Sequence, residues 1–113
     1  MKAQKISKVE ANRPSVGGMV EDVLGCKWTF TVLQLVRQGV NRPGAMERSV
    51  DGLTTKVLNE RLRKLVRFGI LRRVAYPEIP PRVEYKLTSF GEKFIGVLRA
   101  IEELEDEIKN EES

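Results

Sequence analysis

Thr54-Thr55-Lys56-Val57-Leu58-Asn59-Glu60-Arg61-Leu62-Arg63-Lys64-Leu65-Val66-Arg67-Phe68-Gly69 is the stretch on which the reading of this chain turns. Leu58, Leu62, Leu65 and Val66 recur at helical spacing and form one apolar stripe, while the positions around them are polar or basic. The pattern predicts an amphipathic helix reaching Phe68, capped by Thr54 or Thr55 and stopped by Gly69 in the left-handed conformation. Two short runs follow, Ile70 to Tyr76 and Arg82 to Thr88, separated by Pro77-Glu78-Ile79-Pro80-Pro81. Val83, Tyr85 and Leu87 alternate with Glu84 and Lys86, which predicts a strand, and the two runs together predict a hairpin with a stiff tip. A basic helix running into such a wing has the shape of a DNA reader, with the helix for the major groove and the wing for the backbone beside it.

Upstream, Asn41-Arg42-Pro43-Gly44 is turn chemistry, and Ala45 to Val50 is expected as a short helix closed by Asp51-Gly52. Two helices joined by a tight glycine turn, the second one basic, make the helix-turn-helix pattern. Earlier still, Lys27 to Gln38 carries Trp28, Val32, Leu35 and Val36 along one side and stops at Gly39, and Met19 to Leu24 reads as a helix ended by Gly25. Residues 1–14 are polar and basic without a sustained period, and are expected to form a flexible basic arm.

Downstream, Ser89-Phe90-Gly91-Glu92 reads as a capping box that starts a last helix. Phe94, Val97, Ile101, Leu104 and Ile108 recur along it at spacings of 3, 4, 3 and 4, the pattern of a heptad seam. One copy of that seam has no partner within so small a domain, so pairing of two chains is the economical inference, with these five residues as the dimerisation set. The expected architecture is mainly α with a small β-hairpin (α+β): an arm (1–14), a winged helix-turn-helix DNA-binding domain (15–88) and a dimerisation helix with an acidic tail (89–113).

Charge follows the same division. Residues 1–88 hold 17 Lys and Arg against 8 Asp and Glu, a balance of +9, whereas residues 89–113 hold 3 against 8, a balance of −5. A positive body suits a polyanion whose neutralisation releases counterions. The 113 residues contain no histidine and one cysteine, which removes His-dependent nucleophile activation and any His or multi-thiolate metal site. The paired carboxylates lie in the tail, where a solvated helix face explains them, and Gly17-Gly18 lacks the spacing of a phosphate-cradling loop. Neither an enzyme nor a cofactor is expected. No apolar run approaches the ~18 residues that span a bilayer, and the start lacks the apolar stretch of a signal peptide, so a cytoplasmic protein without membrane contact is expected.

Off the apolar stripe lie Thr54, Thr55, Lys56, Asn59, Arg63 and Lys64, the candidate DNA-contacting face. Lys donates to guanine and Asn pairs with adenine, so Lys56 and Asn59 are chemically able to read bases. Arg82 follows two prolines that hold it at the wing tip, either against the DNA backbone or minor groove or in an ion pair with Glu78 or Glu84. Arg72 and Arg73 are neighbours on a strand, so at most one faces the duplex. Cys26 sits just ahead of a helix and is either a small buried filler or a redox-sensing thiol. Trp28 is read as a core or dimer anchor, with a ligand-pocket wall as the other reading.

Several of these segments resemble the HxlR-type regulators, a branch of winged-helix bacterial and archaeal transcription factors related to the MarR type. Gly25-Cys26-Lys27-Trp28-Thr29 is similar to the family's Gly-Gly-Lys-Trp-Thr, and Gly52-Leu53-Thr54-Thr55-Lys56-Val57-Leu58 to its Gly-Ile-Ser-x-Lys-x-Leu. Arg61-Leu62-Arg63-Lys64-Leu65 follows in register, and Tyr76 to Tyr85 resembles the family's wing almost residue for residue. The resemblance covers Ser15 to Leu98 and implies a dimeric DNA-binding regulator. Three positions depart from it: Ser15 stands where many members have a cysteine that some use to sense oxidants or electrophiles, Cys26 replaces a glycine, and Pro43 replaces a common aromatic. The function expected is a transcriptional regulator binding a pseudo-palindromic operator as a homodimer, its effector unknown. The alternative is a protein-protein interaction module built on a winged-helix scaffold.

Overall fold

Residues 13–112 are described by the computed structural model. Among the described residues, five helices and one hairpin follow in the order α1 (Val16–Gly25), α2 (Lys27–Arg37), α3 (Pro43–Ser49), α4 (Thr55–Arg67), β1 (Leu71–Tyr76), β2 (Arg82–Leu87) and α5 (Ser89–Glu112). This is the expected mainly α fold with a small β-hairpin. Of the expected basic arm, residues 1–12 lie outside the described residues. Arg13 lies at its end, its guanidinium 5.1 Å from the centre of the Phe90 ring.

Each helix boundary has a local cause. Ser15 accepts a hydrogen bond from the Gly18 amide at 3.1 Å, so α1 starts three residues ahead of its first buried side chain, Met19. The segment read as a turn, Asn41 to Gly44, already contains the start of α3, because the fixed φ of Pro43 suits the first helical position. Thr54 is the cap of α4, accepting from the Val57 amide at 3.2 Å, and Thr55 is inside the helix. Gly69 ends this segment at φ +78, and the Ile70 amide closes back on the Leu65 carbonyl at 3.0 Å.

Leu58, Leu62 and Leu65 are buried on the inner side of α4, but Val66 is 37% exposed and is a correction to the expected stripe. At ~100° per residue it falls at the stripe's edge, beyond what the core covers. The buried set Met19, Val23, Val32, Leu33, Met46 and Leu62 joins α1 to α4 into one core, and Ile70, Leu71, Phe94 and Leu98 extend it beneath the hairpin and α5. Each such side chain contributes about 1.5–3 kcal/mol when buried.

The hairpin is antiparallel, with Leu71 opposite Leu87, Arg73 opposite Tyr85 and Tyr76 opposite Arg82. Alternation therefore puts Leu71, Arg73, Tyr85 and Leu87 on one face and Arg72, Tyr76, Arg82, Glu84 and Lys86 on the other. The Tyr85 amide donates to the Asn41 carbonyl at 2.8 Å, which ties the outer edge of β2 to the segment before α3.

The cap of α5 is Thr88, one residue before the expected Ser89: its Oγ1 accepts from the Gly91 amide at 2.8 Å. Thr88 holds this role because its own amide is fixed to the Ile70 carbonyl at 3.0 Å, whereas Ser89 is exposed and inside the helix. Gly91 passes so close to the strand entry that a Cβ there would stand 2.1 Å from the Ile70 carbonyl oxygen. Phe94 is buried in the chain's own core together with Ile95 and Leu98, so it is a correction to the expected dimerisation seam. Here the first two turns of α5 cross the hairpin, and the apolar period serves the core before it serves any partner. The seam beyond it stays open: Val97 is 42%, Leu104 60% and Ile108 56% exposed, with Ile101 half-buried. Glu102 is held by Arg37 of α2 at 3.4 Å, and from Glu103 to Glu112 every residue of α5 is exposed.

Candidate nucleic-acid interface

Lys56, Asn59 and Arg63 are exposed on α4 at spacings that place them on one side of the helix. The Arg63 Nε donates to the Asn59 carbonyl at 3.3 Å, which lays its side chain along the helix. The Thr55 hydroxyl donates to the Glu47 carboxylate of α3, joining the two helices of the pair, and Thr54 is occupied as the cap. Lys64 stands apart: its ammonium pairs with Asp22 of α1 at 3.0 Å, on the flank of α4 that packs inward. The expected DNA-contacting set is therefore divided, with Lys56, Asn59 and Arg63 presented to solvent and Lys64 committed within the chain.

The neighbour of that face is Arg73. Asn59, Arg63, Arg73 and Tyr85 line one shallow hollow between α4 and the hairpin. Of the two adjacent arginines, Arg73 shares the side of β1 that meets α4, and Arg72 lies on the opposite side. The parity of Leu71, which must face the core, is the sequence signal that selects Arg73.

At the wing, the ion pairs considered for Arg82 are both formed. Its Nη2 is 3.2 Å from Glu78, its Nε 3.7 Å from Glu84, and its guanidinium stacks 4.0 Å from the centre of the Tyr76 ring. Glu84 also pairs with the Arg42 Nε at 3.5 Å and Lys86 at 3.9 Å, and accepts from the Tyr76 hydroxyl at 3.3 Å. Arg82 is thus a positioned cation, and Arg42, which sequence reasoning took only for part of a turn, belongs to the same cluster.

Cys26 is half-buried at the start of α2. The Thr29 side chain directed at its sulfur draws the thiol below its ordinary value; burial opposes this, and the Thr29 amide, the Arg61 charge and the Trp28 amide add to the lowering. Thr29 is itself fully buried. Trp28 packs half-buried against the core, with the Lys27 ammonium 5.0 Å from its ring, as a core anchor does.

Among the described residues, no group of three or more His, Cys, Asp or Glu side chains is arranged to hold a metal, and no helix is long and apolar enough to cross a membrane.

Known proteins share this arrangement. The HxlR-like helix-turn-helix family profile matches residues 23–113. An HTH-type transcriptional regulator of Synechocystis sp. is 43% identical over 94 residues, which are 83% of this chain and 70% of that protein. The HTH-type transcriptional regulator YtcD of Bacillus subtilis is 34% identical over 77 residues, covering 68% of this chain and 61% of its own length. A crystal structure of a MarR-family transcriptional regulator from Enterococcus faecalis V583 superimposes with a TM-score of 0.76 at 26% identity, over 99% of this chain and 97% of that one. The chain belongs to the HxlR-like helix-turn-helix family and is a DNA-binding transcriptional regulator rather than an enzyme.

Proposed function

We propose that the protein acts as a homodimer on a pseudo-palindromic operator, each α4 entering the major groove as the recognition helix and each wing lying on the backbone or in the minor groove beside it. The observation that carries this reading is the shared exposure of Lys56, Asn59 and Arg63 on one side of α4, with Arg73 across the hollow from the last two. Lys56 and Asn59 are in the half of the helix that approaches base edges in this architecture, and the two arginines flank it as phosphate contacts. The open seam of Val97, Ile101, Leu104 and Ile108 is the surface through which two copies pair, which sets the recognition helices about one helical turn, ~34 Å, apart.

Gel-shift titration of the wild type, Lys56→Ala and Arg82→Ala at two salt concentrations tests the reading. Lys56→Ala weakens operator binding, and Arg82→Ala weakens binding to any duplex while flattening its salt dependence. Unchanged affinity in both variants removes the assignment, and a wild type indifferent to random duplex at low salt marks a protein-protein interaction module instead.

A further inference from the structure

A cleft of 610 Å³ lies between α3 and the wing, rimmed by Arg42, Arg48 and Arg82. Its remaining walls are mostly short side chains, with Gly44, Ala45 and Pro80 among them, so a ribbon can lie along it without displacing bulk. The one acid in the lining, Glu78, is already paired with Arg82. Arg48 folds back over Gly44, where a Cβ would lie 3.4 Å from its Nη1, and it has no ion-pair partner among the described residues.

Glu84 stands behind this rim with its side chain only 14% exposed and gathers Arg42, Arg82 and Lys86. Its nearest approach to each arginine is at Nε, 3.5 Å for Arg42 and 3.7 Å for Arg82, contacts of charge that leave the buried Arg82 Nε without a hydrogen-bond partner, and among the described residues the terminal nitrogens of Arg42 enter no ion pair. Guanidinium forks match the paired oxygens of a phosphate. Glu78 and Glu84 together face Arg42, Arg82, Lys86 and the unpaired Arg48, which leaves an excess of positive charge for an anion.

We propose that this cleft is a second phosphodiester-binding site, in which Arg42, Arg48 and Arg82 grip the DNA backbone and Glu84 is the positioning residue that aims two of them. The proposal rests on the reading that α4 docks on duplex DNA, and extends the contact from the recognition helix to the rim of α3. It predicts a reversal of sign: removing a negative charge from a DNA-binding surface ordinarily strengthens binding, but removing this one weakens it.

The test is fluorescence anisotropy of the full chain on a selected operator duplex over a series of salt concentrations, comparing wild type, Arg48→Ala, Glu84→Gln and Lys56→Ala. Arg48→Ala weakens binding and flattens the slope of log K against log salt by about 0.9, the value of one phosphate contact. Glu84→Gln weakens binding by about fivefold or more and flattens the slope by about 1 or more, a change that loss of folded protein alone does not produce. Glu84→Gln that binds as tightly as wild type, or tighter, overturns the proposal, as does Arg48→Ala with an unchanged slope. If thermal melting shows that Glu84→Gln fails to fold, the exposed and unpaired Arg48 decides alone. A wild type that binds and a Lys56→Ala that does not, with both cleft variants normal, overturns only this proposal; a wild type that ignores every duplex overturns the docking reading as well.

Discussion

The Lys64 ammonium lies 3.0 Å from the Asp22 carboxylate, so α4 is tied to α1 by one of its own basic residues. In the proposed reading Lys64 orients α4 while Lys56 meets the duplex. Lys64→Ala therefore lowers operator affinity less than Lys56→Ala does, and lowers stability by at most about 1 kcal/mol, as expected of a partly exposed pair. Parallel binding isotherms and urea melts check both halves, and a Lys64→Ala loss exceeding that of Lys56→Ala contradicts the assignment.

Phe94 and Leu104 share one heptad pattern but have opposite surroundings, the first buried and the second 60% exposed. Phe94→Ala costs about 3–5 kcal/mol of stability, because it empties a filled site in the core. In the proposed homodimer Leu104→Asp and Ile101→Asp instead give monomers of normal fold, since a carboxylate in a seam closed by pairing costs several kcal/mol. Sedimentation with circular dichroism separates the cases, and a Leu104→Asp protein that remains dimeric moves the interface elsewhere.

Gly91 faces the Ile70 carbonyl oxygen, with no room for a side chain between helix and strand. Gly91→Ala forces α5 away from β1 and costs at least about 1–3 kcal/mol, which a lowered thermal midpoint reports. Gly96, with nothing near its Cβ position, is the control: Gly96→Ala is neutral or stabilising. Equal melting of the two variants contradicts the packing described.

Cys26 has its thiol lowered chiefly by the Thr29 side chain. More thiolate is then present at a given pH, so the rate of alkylation by iodoacetamide rises with a midpoint below the ordinary 9.0. Thr29→Val moves that midpoint upward, because it removes the hydroxyl that favours the thiolate. A midpoint indifferent to this substitution contradicts the stated cause.

The helices and the wing were legible in the sequence because their signals are local: a leucine stripe, Gly69 after it, and strict alternation from Val83 to Leu87. What escaped was set by contacts between elements. The burial of Phe94 depends on where α5 crosses the hairpin, and the turn from Asn41 to Gly44 became a helix start with an edge bond to Tyr85. Position alone singled out Lys56, Asn59 and Arg82. The commitment of Lys64 to Asp22 across 42 residues, and the pairing of Arg42 with Glu84, have no local period to reveal them.

Selection of bound sites from a random duplex pool tests the central claim most directly. Two copies presenting matched α4 helices enrich an inverted repeat whose half-site centres lie about 10–10.5 base pairs apart. A pool that enriches no sequence, or only a single asymmetric site, contradicts the account.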